Sequence, residues 1–316
     1  MMQTIAFHPA RAVLGQSLRT VVRERTVAII AALFVLLILV SAYLGWSATS
    51  TVDAIFKSAS AYLRAHDMAV PPNPILEASP LNLLRNMATY VALIGSLAGI
   101  VIGHQLVAGD RKAGVMPLIG SRPLERRAYA QGKILALTAV IAGLVVFAAL
   151  VSVGTFFILP GFHLSAQAWL QLLGFYAVSG VYMLVFGLLG LTFGASARSE
   201  TVGLLVPITA WLSFTFILPQ LTSNIDPVAA LNPVTALATP PSSVFFQVTG
   251  NLLGPFSLAE AYRTISANLL DMMPAGFVDR SPVSPWLTLL IGLALLGAAA
   301  RFSLDRIDMT RGDYNG

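Results

Sequence analysis

The 316-residue sequence contains no cysteine, which excludes disulfides, thiolate metal ligands and thiol catalysis. Charge is also scarce, because Asp, Glu, Lys and Arg make up 10% of the chain, against about a quarter in a soluble domain. Hydrophobic residues account for 56% of the sequence, and its mean hydropathy is +0.78. A chain of this composition is expected to reside in a membrane.

The usual signatures of catalytic sites are missing as well. The sequence has no GxxxxGK[ST] phosphate-binding loop, no HExxH and no GxSxG. The sequence contains four histidines, His8, His66, His104 and His163. They are too far apart in the sequence to match the spacing of metal ligands. We therefore expect no enzyme activity, no metal and no cofactor bound by this chain. The net charge of +5 accompanies no nucleic-acid-binding motif, so we expect no nucleic-acid partner.

Six apolar stretches approach or exceed the roughly 20 residues that a helix needs to cross a bilayer. They are 27–46, 87–108, 134–158, 168–194, 201–221 and 286–304. Their one charged residue is Arg301, which lies near the end of the last stretch, where its side chain can reach the interface. The absence of carboxylates within them also disfavours a proton-driven carrier. The pattern predicts an all-α polytopic protein with a single membrane domain over 1–316.

The distribution of cations predicts the orientation. Fourteen of the 19 Lys and Arg residues fall in segments on one side of the six spans and five on the other, whereas the 14 acidic residues divide evenly. Cytoplasmic segments carry the excess of Lys and Arg. Both termini are therefore expected in the cytoplasm, with the protein in a cell inner membrane.

The connecting segments carry amphipathic patterns of their own. Segment 1–26 places apolar residues and arginines on opposite faces, which favours a helix in the cytoplasmic interface over a plain extension of the first span. In the outer loops 47–86 and 222–285, helical patterns follow Val52 to Leu63 and begin again at the Ser257–Glu260 capping box, ahead of Pro274. We expect these outer helices to cover each other as a small cap. Docking of an extracytoplasmic partner is the alternative.

Glycines recur every four residues at Gly95, Gly99 and Gly103, and again at Gly190 and Gly194. Small residues at this spacing let membrane helices approach closely. The pattern is compatible with packing inside one subunit and with dimerisation.

Among the charged segments, the predicted cytoplasmic loop 109–133 has the most regular sequence pattern. Gly109-Asp110-Arg111 ends the second span, Gly114 precedes a short apolar run, and Ser121-Arg122-Pro123 closes it. Glu125, Arg126 and Arg127 then lead to Gly132-Lys133 and the third span. A short apolar helix flanked by charges can be held by another protein, whose motion would pass to both attached spans.

These elements resemble the loop of ABC-2 type permeases of ATP-binding-cassette exporters, in the same order and at similar spacing. The resemblance extends to the six-span layout, the N-terminal interfacial helix and the Leu231-Asn232-Pro233 turn. It implies a non-catalytic subunit whose separate ATPase partner binds ATP and magnesium. It also implies a second permease copy or a paralogue across the pathway.

The resemblance further implies roles for particular residues. The ATPase-docking set on the loop is Asp110, Arg111, Gly114, Arg122, Pro123, Glu125, Arg126, Arg127 and Lys133, and a smaller contact between the fourth and fifth spans contains Arg198 and Glu200. Candidates for lining the substrate pathway are Tyr90, Ser96, Trp211, Ser213 and Thr215. The alternative function is a membrane scaffold or maturation factor, energised by such an ATPase, that acts on an extracytoplasmic partner without bulk transport.

Overall fold

The computed structural model describes residues 9–72, 79–112, 114, 116–117, 125–158, 165–222, 244–272 and 283–307. Regular structure in these ranges is entirely helical, and we number its main elements α1 to α9. They are α1 Pro9–Arg23, α2 Arg25–Ala65, α3 Arg85–Lys112, α4 Arg126–Ile158, α5 Ala166–Ser196, α6 Glu200–Ile217, α7 Val244–Leu253, α8 Leu258–Leu269 and α9 Pro285–Asp305. Short 3₁₀ turns precede α3 and follow α7, and Leu218–Thr222 continues α6 as helix.

Six of these helices, α2 to α6 and α9, are long and apolar enough to cross a membrane. The predicted all-α polytopic fold is thereby confirmed. We call one end of the bundle the basic end. It is formed by the first residues of α2, α4 and α6 and the last residues of α3, α5 and α9, which are Arg25, Arg126, Glu200, Lys112, Ser196 and Asp305.

The described part of the N-terminal segment forms a separate helix, as the pattern predicts, but this helix ends at Arg23 rather than at residue 26. The backbone is extended at Glu24, which separates α1 from α2. Val13, Ser17 and Val21 recur every four residues on the buried face of α1, which packs mainly against α4. At the point of closest approach, a Cβ on Gly132 would lie 2.6 Å from the Val13 side chain, so this position requires glycine.

The first span differs most from its prediction. Instead of ending at residue 46 with a separate outer helix, α2 continues without a break to Ala65 and is about 60 Å long at 1.5 Å per residue. Its outer half carries exposed apolar side chains, with Ile55 63% and Tyr62 60% exposed. The expectation that the two outer helices cover each other is wrong for this face of α2.

The second outer helix follows its prediction more closely. Ser257 caps α8, its hydroxyl accepting a hydrogen bond from the Glu260 N–H. Tyr262 and Ile265 are buried, and α8 packs against α5 and α9. The helix ends at Leu269, before Pro274, and the φ of +56° at Asp271 lets the Met272 N–H bond back to the Ala267 carbonyl. Pro274 and the Leu231-Asn232-Pro233 turn lie outside the described residues.

We call Gly95, Gly99, Gly103, Gly190 and Gly194 the glycine stripe. They lie where α3 packs against α5 in the bundle. A Cβ on Gly99 or Gly103 would overlap the backbone of α5 at Met183 or Gly187, and one on Gly190 would overlap the Ile100 carbonyl of α3. The helices α3 and α5 form the most extensive interhelical contact of the described chain. Of the two possibilities that the pattern leaves open, the stripe thus serves packing inside one subunit.

Candidate functional site

The two ends of the 109–133 loop are joined by a buried ion pair. Lys133 Nζ on α4 lies 2.7 Å from Asp110 Oδ2 on α3. The same ammonium donates to the Leu106 carbonyl at 2.6 Å, and the Tyr129 hydroxyl donates to Asp110 Oδ2 at 2.9 Å. We call Leu106, Asp110, Tyr129 and Lys133 the loop clamp. It ties the last turn of α3 to the first turns of α4.

Both charges of the loop clamp are buried. The side chains of Lys133 and Asp110 are 3% and 11% exposed. Removing a charge from water is expensive, and a buried pair persists only when the remaining polar atoms are also satisfied. The Leu106 carbonyl and the Tyr129 hydroxyl provide that satisfaction. Asp110 and Lys133 therefore lie beneath the surface of the described chain, and their docking role stays a prediction.

Arg111 extends the connection to a third span. Its guanidinium donates to the carbonyls of Ala195 and Ala197 at 2.7 and 2.8 Å. These carbonyls lie at the C-terminal end of α5, where helix carbonyls lack intrahelical partners and where a cation is favoured by the helix dipole. The rigid fork of arginine matches two acceptors at once. The start of the loop and the α5–α6 connection are thus one structural unit.

The next residue makes a weaker link to the same connection. Lys112 Nζ lies 2.7 Å from Glu200 Oε1, and their side chains are 61% and 44% exposed. Solvent screens such a pair, so its contribution to stability is at most about 1 kcal/mol. Arg198 is exposed beside it. The two predicted docking segments, around the loop and around 198–200, therefore adjoin each other at the basic end.

Gly114 lies in the exposed part of the loop. Its φ of +63° lies in the left-handed region, and its N–H bonds to the Arg111 carbonyl, so this glycine ends α3. On the far side of the loop, Glu125, Arg126 and Arg127 are exposed at the start of α4. Arg122 and Pro123 lie outside the described residues. The described exposed docking candidates are thus Gly114, Glu125, Arg126, Arg127, Arg198 and the partly exposed Arg111 and Glu200.

Two members of this region were missed in the sequence. Tyr129 is fully buried and contacts Asp110, Met116 and Lys133. Its position one helical turn before Lys133 was the available signal, because residues four apart share a helix face. Glu24 also lies near Lys133, and its carboxylate would be 3.5 Å from a Cβ on Gly109. No spacing in the sequence connects Glu24 to the loop.

The candidate pathway residues lie on α3 and α6. Trp211 Nε1 on α6 donates to Ser96 Oγ on α3 at 2.7 Å, and both side chains are buried. Thr215 is also buried, whereas Tyr90 and Ser213 are partly exposed. Ser96, Trp211 and Thr215 are therefore packed between helices in this conformation. Lining of a pathway by this set stays a prediction.

Other buried hydroxyl groups connect α5 to α8 and to α4. Tyr182 of α5 stacks on Tyr262 of α8 with ring centroids 4.4 Å apart, and the Tyr262 hydroxyl lies 2.9 Å from Ser179 Oγ. On the other side of α5, the Tyr176 hydroxyl bonds to Ser152 of α4. Hydroxyl pairs satisfy polar atoms within the apolar bundle and connect α8 firmly to the spans.

We call the two hydrogen bonds from Arg111 to the Ala195 and Ala197 carbonyls the Arg111 bridge, and they allow a prediction about stability. Lysine at position 111 keeps the charge but has no fork that can reach both carbonyls. We expect Arg111→Lys to lower the free energy of unfolding by roughly 1.5–3 kcal/mol, the range for hydrogen bonds to a charged group. Denaturant unfolding of the detergent-solubilised protein would measure it. Arg198→Lys, at an exposed neighbouring position, is the control, and an equal loss in both would contradict the bridge.

Comparison with known proteins agrees with this architecture. The model of a family described as ABC-2 family transporter protein matches residues 11–306. The chain belongs to this family. No match is found among curated proteins. Membership in the ABC-2 family supports a multi-pass, non-catalytic membrane subunit that works with an ABC ATPase.

Proposed function

We propose that this ABC-2 family chain is the permease subunit of an exporter, and that a separate ATPase docks on its basic end and drives substrate movement. The observation that carries the proposal is the loop clamp together with the Arg111 bridge. These contacts connect the loop to α3, α4 and α5 at once. The excess of Lys and Arg on this side supports a cytoplasmic location for the basic end and for both termini.

The proposed mechanism is mechanical. Nucleotide-driven closure of two ATPases displaces the exposed loop residues, and the clamp transmits the displacement to α3 and α4 because a buried ion pair cannot be broken cheaply. Arg111 transmits it to α5. The ATPase shifts the bundle only by the difference in its affinity for the two conformations. The substrate crosses between this subunit and a second copy or a related permease, with α3 and α6 as the proposed lining.

Exposed arginines provide the test of docking. We expect the double variant Arg126→Ala/Arg127→Ala to bind the partner ATPase about tenfold or more weakly, because interface arginines often contribute over 1 kcal/mol each. Stimulation of ATP hydrolysis would fall in parallel. The measurement uses the co-purified complex in vesicles, with helix content checked by circular dichroism.

The matched control is Lys57→Ala/Arg64→Ala on the outer half of α2, which removes the same charge at the opposite end of the bundle. Binding and stimulation should be unchanged there. If both double variants behaved like the unmodified protein, the basic end would not be the docking surface.

One observation favours the scaffold function as a second candidate. The outer half of α2 exposes Ile55 and Tyr62, and α7 exposes Val244, Phe245 and Val248. Exposed apolar side chains on outer helices suit contact with an extracytoplasmic protein. Flux of substrate into reconstituted vesicles would favour the exporter. A stable outer complex without flux would favour the scaffold.

A further inference from the structure

An apolar groove of about 330 Å³ opens on the side of the bundle near the basic end. Three helices form it, and each contributes apolar side chains or glycine. Lining residues include Leu18 and Val22 of α1, Val27 and Ala31 of α2, and Gly143 and Phe147 of α4. Val22 is 76% exposed and Phe147 41% exposed, so the groove is open to its surroundings rather than enclosed. From Ala139 to Phe147 it follows α4 for two turns, about 12 Å.

Gly143 keeps this groove open. A Cβ at position 143 would have no atom within 4 Å, in contrast to Gly132 on the same helix, which α1 contacts closely. The glycine therefore does not serve helix packing. It leaves a recess in an otherwise bulky apolar surface.

In the sequence, three arginines adjoin the groove-lining residues of α1 and α2. Arg19, Arg23 and Arg25 are exposed, and the structure gives none of them an ion pair within the described residues. The nearby Glu24 is directed toward Gly109 and Lys133, inside the bundle. Its carboxylate thus does not neutralise the arginines. The α1–α2 connection therefore combines an apolar groove with exposed arginines that lie next to its lining residues along the chain.

We propose that this groove binds an anionic phospholipid, with one acyl chain along α4 and the phosphate at Arg19, Arg23 and Arg25. The lining offers no polar group to a peptide or a hydrophilic solute, whereas a hydrocarbon chain needs none. The cluster of arginines selects an anionic headgroup over a zwitterionic one, because basic residues at a membrane surface each strengthen such binding roughly fivefold. The bound lipid bridges α1, α2 and α4, whichever function the permease serves.

The experiment uses the full chain in nanodiscs of phosphatidylcholine that contain a small fraction of phosphatidylglycerol with a photoactivatable acyl chain. After irradiation, crosslinked residues are mapped by mass spectrometry. We expect crosslinks concentrated on α1, α2 and α4 at the groove, displaced by unlabelled phosphatidylglycerol. Gly143→Leu fills the recess and should lower crosslinking at least fivefold.

The control is Gly154→Leu, at a position of the same helix where an added Cβ also meets nothing within 4 Å. It should leave crosslinking unchanged. A second variant, Arg23→Gln/Arg25→Gln, leaves the groove intact and should lower the preference for phosphatidylglycerol over phosphatidylcholine about tenfold or more. Equal labelling by a phosphatidylcholine probe would overturn the proposal, since it would indicate ordinary lipid solvation. Undiminished labelling in Gly143→Leu would overturn it as well.

Discussion

Gly103→Leu is expected to destabilise the bundle strongly. A Cβ at position 103 would overlap the Gly187 carbonyl and approach the Leu191 backbone of α5. Backbone on both sides cannot yield in the way that a flexible side chain can, so α3 and α5 would have to separate. Overpacking of cores costs about 1–3 kcal/mol and sometimes more, and we expect a loss at or above the top of this range. Unfolding by sodium dodecyl sulfate, followed by circular dichroism, would measure it.

Gly154→Leu serves as the control here too, because it adds the same side chain in a long membrane helix at a position where a Cβ meets no atom within 4 Å. Its unfolding free energy should change by less than about 1 kcal/mol, the scale of helix propensity alone. Gly103→Ala should fall between the two. If Gly103→Leu were as stable as Gly154→Leu, α3 and α5 would not pack through this stripe.

The positions of the spans could be predicted because the length of an apolar run and the bilayer thickness define each other. The residues at which helices begin and end were harder to predict. The third span was expected from residue 134, but α4 begins at Arg126, since Ala128 to Lys133 form helix in a region too polar to count as a span. Hydropathy reports where a helix leaves the apolar layer and not where its hydrogen bonds end.

The continuation of α2 illustrates the same limit. The pattern around Val52 to Leu63 correctly predicted a helix, but a separate one. Residues 47–51 contain no glycine or proline, and the hydroxyls of Thr49 and Thr51 bond to carbonyls four residues earlier. Serine and threonine can thus remain within a helix when their side chains bond to its own backbone. A polar stretch alone was not a sufficient reason to end it.

At the candidate site, the sequence identified the residues but not their contacts. Asp110, Gly114, Arg126 and Lys133 were predicted from the loop pattern, all as docking surface. Which charges are buried depends on the approach of α3 to α4, and no periodicity encodes a distance between two helices. For the same reason, the sequence could not predict that the glycines of α3 pack against α5.

Breaking the loop clamp is the second change for which we expect a large effect. Asp110→Ala leaves the Lys133 ammonium buried without its carboxylate, and Lys133→Met leaves the carboxylate without its ammonium. Removing one partner of a buried pair typically costs 3–5 kcal/mol, and we expect each single variant to lose about this much unfolding free energy. Equilibrium unfolding in detergent, or retention of folded protein on heating, would measure the loss.

The double variant Asp110→Ala/Lys133→Met completes a double-mutant cycle, which measures the interaction between the two residues apart from their contacts with other residues. It removes both charges, so its loss should be smaller than the sum of the single losses by roughly 1–3 kcal/mol. The exposed pair Lys112 and Glu200 provides the matched cycle, in which each change should cost less than about 1 kcal/mol. Exchanging the clamp charges, as Asp110→Lys/Lys133→Asp, should not restore stability. An aspartate at 133 cannot donate to the Leu106 carbonyl as Lys133 does. Additive losses of less than 1 kcal/mol in the clamp would mean that Asp110 and Lys133 are solvated, and that the loop moves independently of α3 and α4.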